Sequence, residues 1–114
     1  MDETDYKKVL EYSRLMNERK FNEAKKIDLR NLNLSHSDLT GGDLSGANLS
    51  HTNLSNSNLS YTNLSKADLS YSNLSYTNLS NSNLKDADLT WAYISYSNLS
   101  NSHIKIGNVY RYIK

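Results

Sequence analysis

The chain has 114 residues, with 13 Lys and Arg against 12 Asp and Glu, a formal charge of +1. That length fits a single core, and so even a charge balance supplies no net field to gather nucleic acid or an anionic membrane. The absence of cysteine removes disulfides, thiolate metal sites and a cysteine nucleophile together.

Residues 2–26 read as helical. Tyr6, Val9, Leu10 and Ser13 fall at helical spacing with Glu, Lys and Arg between them, and Asp2 or Thr4 can cap the first turn. A second short run, ERKFNEAKK, places Phe21 and Ala24 on one side. Segment 1–26 is therefore expected to form a helical N-terminal cap. The opening MDETDYKKVLEY has neither a basic n-region nor an apolar h-region, and no window nears ~18 apolar residues. No signal peptide or membrane span is expected, and a cytoplasmic location is the default. The Asn-Leu-Ser tripeptides at Asn33, Asn48, Asn53, Asn58, Asn63, Asn73, Asn78 and Asn98 agree, since so many glycosylation acceptors suit a eukaryotic secretory route poorly.

From Leu29 a five-residue register begins. Leu recurs at every fifth position to Leu89, followed by Ile94, Leu99, Ile104 and Val109, an unbroken run of 17 units. Two residues before each of these sits a small side chain such as Ala47, Thr52 or Ser57, except for Ile27 and Leu32 at the start. The residue just before is Asp or Asn except at Tyr93 and His103, and the residue after is mostly Ser or Thr. No helix or strand repeats every five residues. Five residues do make a short extended side plus a corner, and four sides close a square coil of 20. The leucine and the small residue then point inward, and Asn and Asp bond the corner backbone. Coils stack about 4.8 Å apart with parallel pairing, giving a little over four coils and a rod of roughly 20 Å over 27–109. The expected fold is an all-β solenoid, a parallel β-helix with a short α-helical cap.

The units GANLS, KADLS and DADLT resemble the A(D/N)LXX consensus of the pentapeptide-repeat proteins. That resemblance implies a right-handed quadrilateral β-helix, no assigned activity for most members, and a tendency to dimerise at the C-terminal end. It also implies an alternative function, since some members mimic duplex DNA, bind DNA gyrase and protect or inhibit it.

At the C-terminal end the run IKIGNVYRYIK brings in Ile104, Ile106, Val109, Tyr110, Tyr112 and Ile113, candidate cap or dimer contacts, with 110–114 as a capping or dimerisation tail. Reading the outward residue two after each leucine, every fourth unit falls on the same face and gives one column. Asn31, His51, Tyr71, Trp91 and Arg111 form one, and His36, Asn56, Tyr76 and Tyr96 the next. Tyr71, Tyr76, Trp91, Tyr93 and Tyr96 thus gather on adjacent faces, either as a stacked ladder or as a partner-binding patch. Catalysis finds no support. Ser after leucine is a repeat letter, and His36, His51 and His103 belong to different columns without an acidic third ligand. No catalytic residue, metal site or cofactor is expected. Between 27 and 109 the charge is −2, so no basic stripe exists for phosphate. A non-enzymatic scaffold docking a protein partner is the leading expectation, with a homodimer as a further option.

Overall fold

The computed structural model describes the backbone of residues 1–106 and 109–113 and the side chains of residues 1–104. The repeat region is a right-handed quadrilateral β-helix. Each side of the square has room for one bridging residue between corners, so the sheets are stacks of single parallel pairs 20 residues apart. Asn33, Asn53, Asn73 and Tyr93 pair along side one, and Asp38, Asn58, Asn78 and Asn98 along side two. Asp43, Asn63, Asn83 and His103 form side three, and Asn48, Asp68 and Asp88 side four. The hydrogen bonds run coil to coil: the Leu34 N–H donates to the Asn53 carbonyl at 2.7 Å, and the Asn53 N–H donates back to the Leu32 carbonyl at 2.9 Å.

The leucines fill the interior. From Leu44 to Leu84 each is no more than 1% exposed, which contributes about 1.5–3 kcal/mol apiece. The small inward residues are often hydroxylic, and the coil satisfies them itself. Thr52 Oγ1 donates to the Leu49 carbonyl at 2.6 Å and Ser72 Oγ to the Leu69 carbonyl at 2.6 Å. Burying these hydroxyls therefore leaves no orphan, and no buried side-chain polar atom among the described residues lacks a partner.

Two devices make each corner. The N–H of the small residue returns to the leucine carbonyl, as from Ala47 to Leu44 at 3.1 Å. The third residue of that turn is left-handed, as in a type II turn, with φ of 59° at Tyr61 and 71° at Gly41. The Asn or Asp before the leucine then locks the corner. Asn53 Oδ1 accepts from the Ser55 N–H at 3.0 Å and from Ser55 Oγ at 2.7 Å, and the same pair recurs at Asn58, Asn63, Asn73 and Asn78.

Helix α1, Glu3–Asn17, lies on the open edge of the first coil. Asp2 is its N-cap, its carboxylate accepting from the Asp5 N–H at 3.1 Å. It ends in a Schellman turn, with Arg19 at φ 62° and the Lys20 N–H donating to the Leu15 carbonyl. The buried stripe is Val9, Tyr12 and Leu15 with Tyr6 and Met16 beside it, whereas Leu10, expected inside, is 43% exposed. The stripe is rotated because the helix must present polar atoms to unpaired coil backbone. The Asp2 N–H donates to the Asn33 carbonyl, Asp5 Oδ2 accepts from the Asn33 N–H, and Ser13 Oγ accepts from the Asp43 N–H. The Tyr6 and Tyr12 hydroxyls donate to the Asp38 and Ser45 carbonyls at 2.7 and 2.8 Å. Helix α1 thus supplies bonds that a preceding coil would make. The second run is one turn, α2, Phe21–Ala24. It buries Ala24 and leaves Phe21 46% exposed under the Arg19 guanidinium.

At the other end the register changes before its last units. Parallel pairing ends at His103, and strand β1, Ser102–Ile106, pairs antiparallel with β2, Val109–Ile113, with Ile104 opposite Arg111. The tail folds back as a hairpin. Ile104 is 5% exposed and serves the interior of this chain. The side chains of Ile106, Val109, Tyr110, Tyr112 and Ile113 lie outside the described residues. The last coil is partly open, with Leu89 and Leu99 half-buried and Ile94 40% exposed. Among the described residues no helix is long and apolar enough to cross a membrane.

Candidate functional site

The left-handed corners position the outward side chains. Such a backbone favours Gly, Asn and Asp, and Asn31, Gly41, Gly46, Asn56, Asn81, Asp86 and Asn101 obey that preference. Tyr61, Tyr71, Tyr76, Trp91 and Tyr96 hold the same conformation against it, with φ of 57–63°, as do His36, His51 and Lys66. An ordinary side chain there costs roughly 1–2 kcal/mol, so these aromatics are not the local optimum.

Coil stacking brings the predicted residues together. His51 and Tyr71 stack with ring centroids 4.8 Å apart and planes within 3°, and Tyr76 and Tyr96 stack at 5.0 Å. The ladder is real for those pairs. Yet stacking covers little of the rings: Tyr71 is 54% exposed, Tyr76 59% and Tyr96 79%, and Trp91, outside both pairs, is 78% exposed. Tyr61, one corner further round, is 66% exposed and was absent from the sequence-derived patch because it has no aromatic neighbour in its own column.

Tyr93 stands where the other coils of side one have Asn, and it is 60% exposed. A phenol cannot accept from the Ser95 amide and hydroxyl as Asn73 does from Ser75. Tyr93→Asn is expected to restore that corner and raise the unfolding free energy by about 0.5–1.5 kcal/mol in urea titrations. No gain would mean the corner is already satisfied by other means.

The chemistry available is that of a surface. Among the described residues no three His, Asp or Glu side chains gather to hold a metal. His51 is a stacking partner of Tyr71. The carboxylates just before the leucines are structural. The Arg30 side chain, with its backbone N–H, holds the Asp28 carboxyl down to about 2, and the Thr40 and Thr90 hydroxyls, then their amides, lower Asp38 and Asp88. Each carboxyl has a folded value below its unfolded one. It therefore adds stability above about pH 4 and loses it as pH falls through the lower folded value. The thermal midpoint is expected to be level above about pH 5 and to decline from about pH 4 toward 2. Asp38→Asn with Asp88→Asn keeps the acceptor oxygen and should make that decline shallower; an unchanged profile would count against these carboxyls.

A family model described as pentapeptide repeats matches in eight copies over residues 27–64 and 47–86. No curated protein matches the chain by sequence. Among solved structures it is similar to alr5209, a pentapeptide repeat protein from Nostoc PCC 7120, with 40% identity and a TM-score of 0.61 over 61% of this chain and 58% of that one. It is also similar to HetL from Nostoc sp. strain PCC 7120, a pentapeptide repeat protein involved in heterocyst differentiation regulation. There the identity is 25% and the TM-score 0.55, over 67% of this chain and 46% of that one. The chain thus spans only about half the length of these relatives.

Proposed function

We propose a function that starts from one fact: the chain belongs to the pentapeptide-repeat family, a family of structural repeat scaffolds. On that scaffold Tyr71, Tyr76, Trp91, Tyr93 and Tyr96 form the surface that docks a protein partner. The chain acts by binding rather than by catalysis, in the cytoplasm, and touches neither nucleic acid nor membrane directly.

The observation that carries this reading is placement against local preference. Large aromatics occupy left-handed corners that Asn or Gly would fill more cheaply, and they stay 54–79% exposed. Tyr and Trp held rigid by backbone geometry supply contact area at low entropic cost, as interfaces favour. The gyrase-protector alternative draws no support from this surface. The acidic column of side four spends Asp28 on Arg30 and is interrupted by Asn48.

The test is a lysate pull-down with the wild type and a variant carrying Tyr71→Asn, Tyr76→Asn, Trp91→Asn and Tyr96→Asn, both folded by circular dichroism. The reading expects one protein retained by the wild type alone, and equal capture by both would end it. We further propose that two copies associate through the C-terminal end, where Ile94 and the half-buried Leu89 and Leu99 leave the last coil open. Sedimentation velocity is expected to give a dimer that Ile94→Asp dissociates; a monomer at all concentrations would refute it.

A further inference from the structure

The described charges of the rod are not spread evenly over its sides. Side one, residues 31–36, 51–56, 71–76 and 91–96, contains no Lys, Arg, Asp or Glu. Side two, residues 36–41, 56–61, 76–81 and 96–101, contains only Asp38, at the end covered by α1. Every other charged residue between 27 and 104 lies on sides three and four, among them Lys66, Asp68, Asp86 and Asp88. The exposed aromatics divide the same way. Tyr61, Tyr71, Tyr76, Trp91, Tyr93 and Tyr96 all lie on sides one and two or at their bounding corners. At the centre of this uncharged half is the convex edge where the two sides meet, and the Tyr76–Tyr96 stack runs along it.

We infer that the docking footprint is this whole edge, from Trp91 and Tyr71 around Tyr76 and Tyr96 to Tyr61, and that the partner receives it in an uncharged, concave groove. The inference rests on the docking function proposed above and deepens it. A convex ridge is complementary only to a groove, which distinguishes the partner from a second rod laid flat against one side. The absence of formal charge on sides one and two beyond Asp38 leaves few ion pairs for the contact to use, so recognition rests on ring area, the Asn58, Asn73 and Asn78 carboxamide oxygens being engaged in their own corners. The charged half stays in solvent and keeps the complex soluble.

Two physical signatures follow, and one experiment reads both. The photo-crosslinking residue p-benzoylphenylalanine is placed singly at Tyr61, Tyr76, Gly46 or Lys66 in the full chain expressed in its native host. All four are outward corner positions: Tyr61, Tyr76 and Lys66 already carry long side chains on a left-handed backbone, and a Cβ at Gly46 meets no atom within 4 Å although its φ of 67° strains the substitution, so each labelled chain is first shown to fold by circular dichroism. Extracts are irradiated at about 0.1 M and about 1 M salt, between which the screening length falls from about 10 Å to about 3 Å. The expected result is the same protein adduct from Tyr61 and Tyr76, none from Gly46 or Lys66, and a yield that changes less than about twofold with salt. Adducts from Gly46 or Lys66, adducts from Tyr76 without Tyr61, or a loss of about tenfold or more at high salt would overturn the edge-in-groove assignment while leaving a docking scaffold in place. Adducts from none of the four positions would overturn the docking function and this inference with it.

Discussion

Leu74→Ala is expected to lower the unfolding free energy by about 2–5 kcal/mol, whereas Ile94→Ala, one coil further along the same column, lowers it by about 1 kcal/mol or less. Leu74 is 0% exposed, with Leu54 in the coil before it and Ile94 in the coil after it. Its loss opens a cavity that neighbouring coils cannot collapse into, because their hydrogen bonds fix the coil spacing. Ile94 is 40% exposed at the open end of the single chain, so at concentrations low enough to keep the chain monomeric its truncation removes less buried area and leaves a notch reached by water. Urea denaturation of the two variants reads the difference directly. Equal losses would mean that the last coil is as closed as the middle ones.

Tyr12→Ala is expected to cost about 3–5 kcal/mol and Tyr12→Phe about 1–3 kcal/mol. Tyr12 is 6% exposed and does two things from one position. Its ring packs into the core beneath α1, and its hydroxyl satisfies the Ser45 carbonyl, a coil-edge group that no earlier coil reaches. Alanine removes both contributions, while phenylalanine leaves the packing and orphans one acceptor. Burial, and secondarily the nearby Asp43 carboxylate, push the Tyr12 phenol above its ordinary value, which keeps the donor protonated across neutral pH. A Tyr12→Phe variant as stable as wild type would show that water replaces the phenol at that carbonyl.

Most of the solenoid was legible in the sequence, and its visibility has a physical cause. A leucine at every fifth position from Leu29 to Leu89 admits few geometries, and the Asn or Asp before it announces the side-chain bond that locks each corner. The left-handed corners were not legible. The outward position holds residues as different as Gly41, Lys66 and Trp91, and that variety conceals a common φ near 60°. The buried stripe of α1 was only half readable. Of the expected stripe, Val9 is buried and Ser13 meets the coil, where its Oγ accepts from the Asp43 N–H, whereas Leu10 is left outside at 43% exposed. The early end of parallel pairing at His103 was hidden because Ile104 and Val109 keep the register while the backbone turns back. For the aromatic site, counting in twenties placed Tyr71 beside Tyr76 and Trp91 beside Tyr96. It passed over Tyr61, whose membership depends on where charge is missing rather than on where rings stack.

We propose that the corner aromatics are present for docking and not for folding. The most direct test is the unfolding free energy of the variant carrying Tyr71→Asn, Tyr76→Asn, Trp91→Asn and Tyr96→Asn. It gives up two stacked pairs, worth about 0.5–1.5 kcal/mol each, and relieves four left-handed corners at which Asn is the easier residue. The predicted result is a stability within about 2 kcal/mol of the wild type, or above it. A loss greater than about 4 kcal/mol would contradict the account and make the rings a structural ladder.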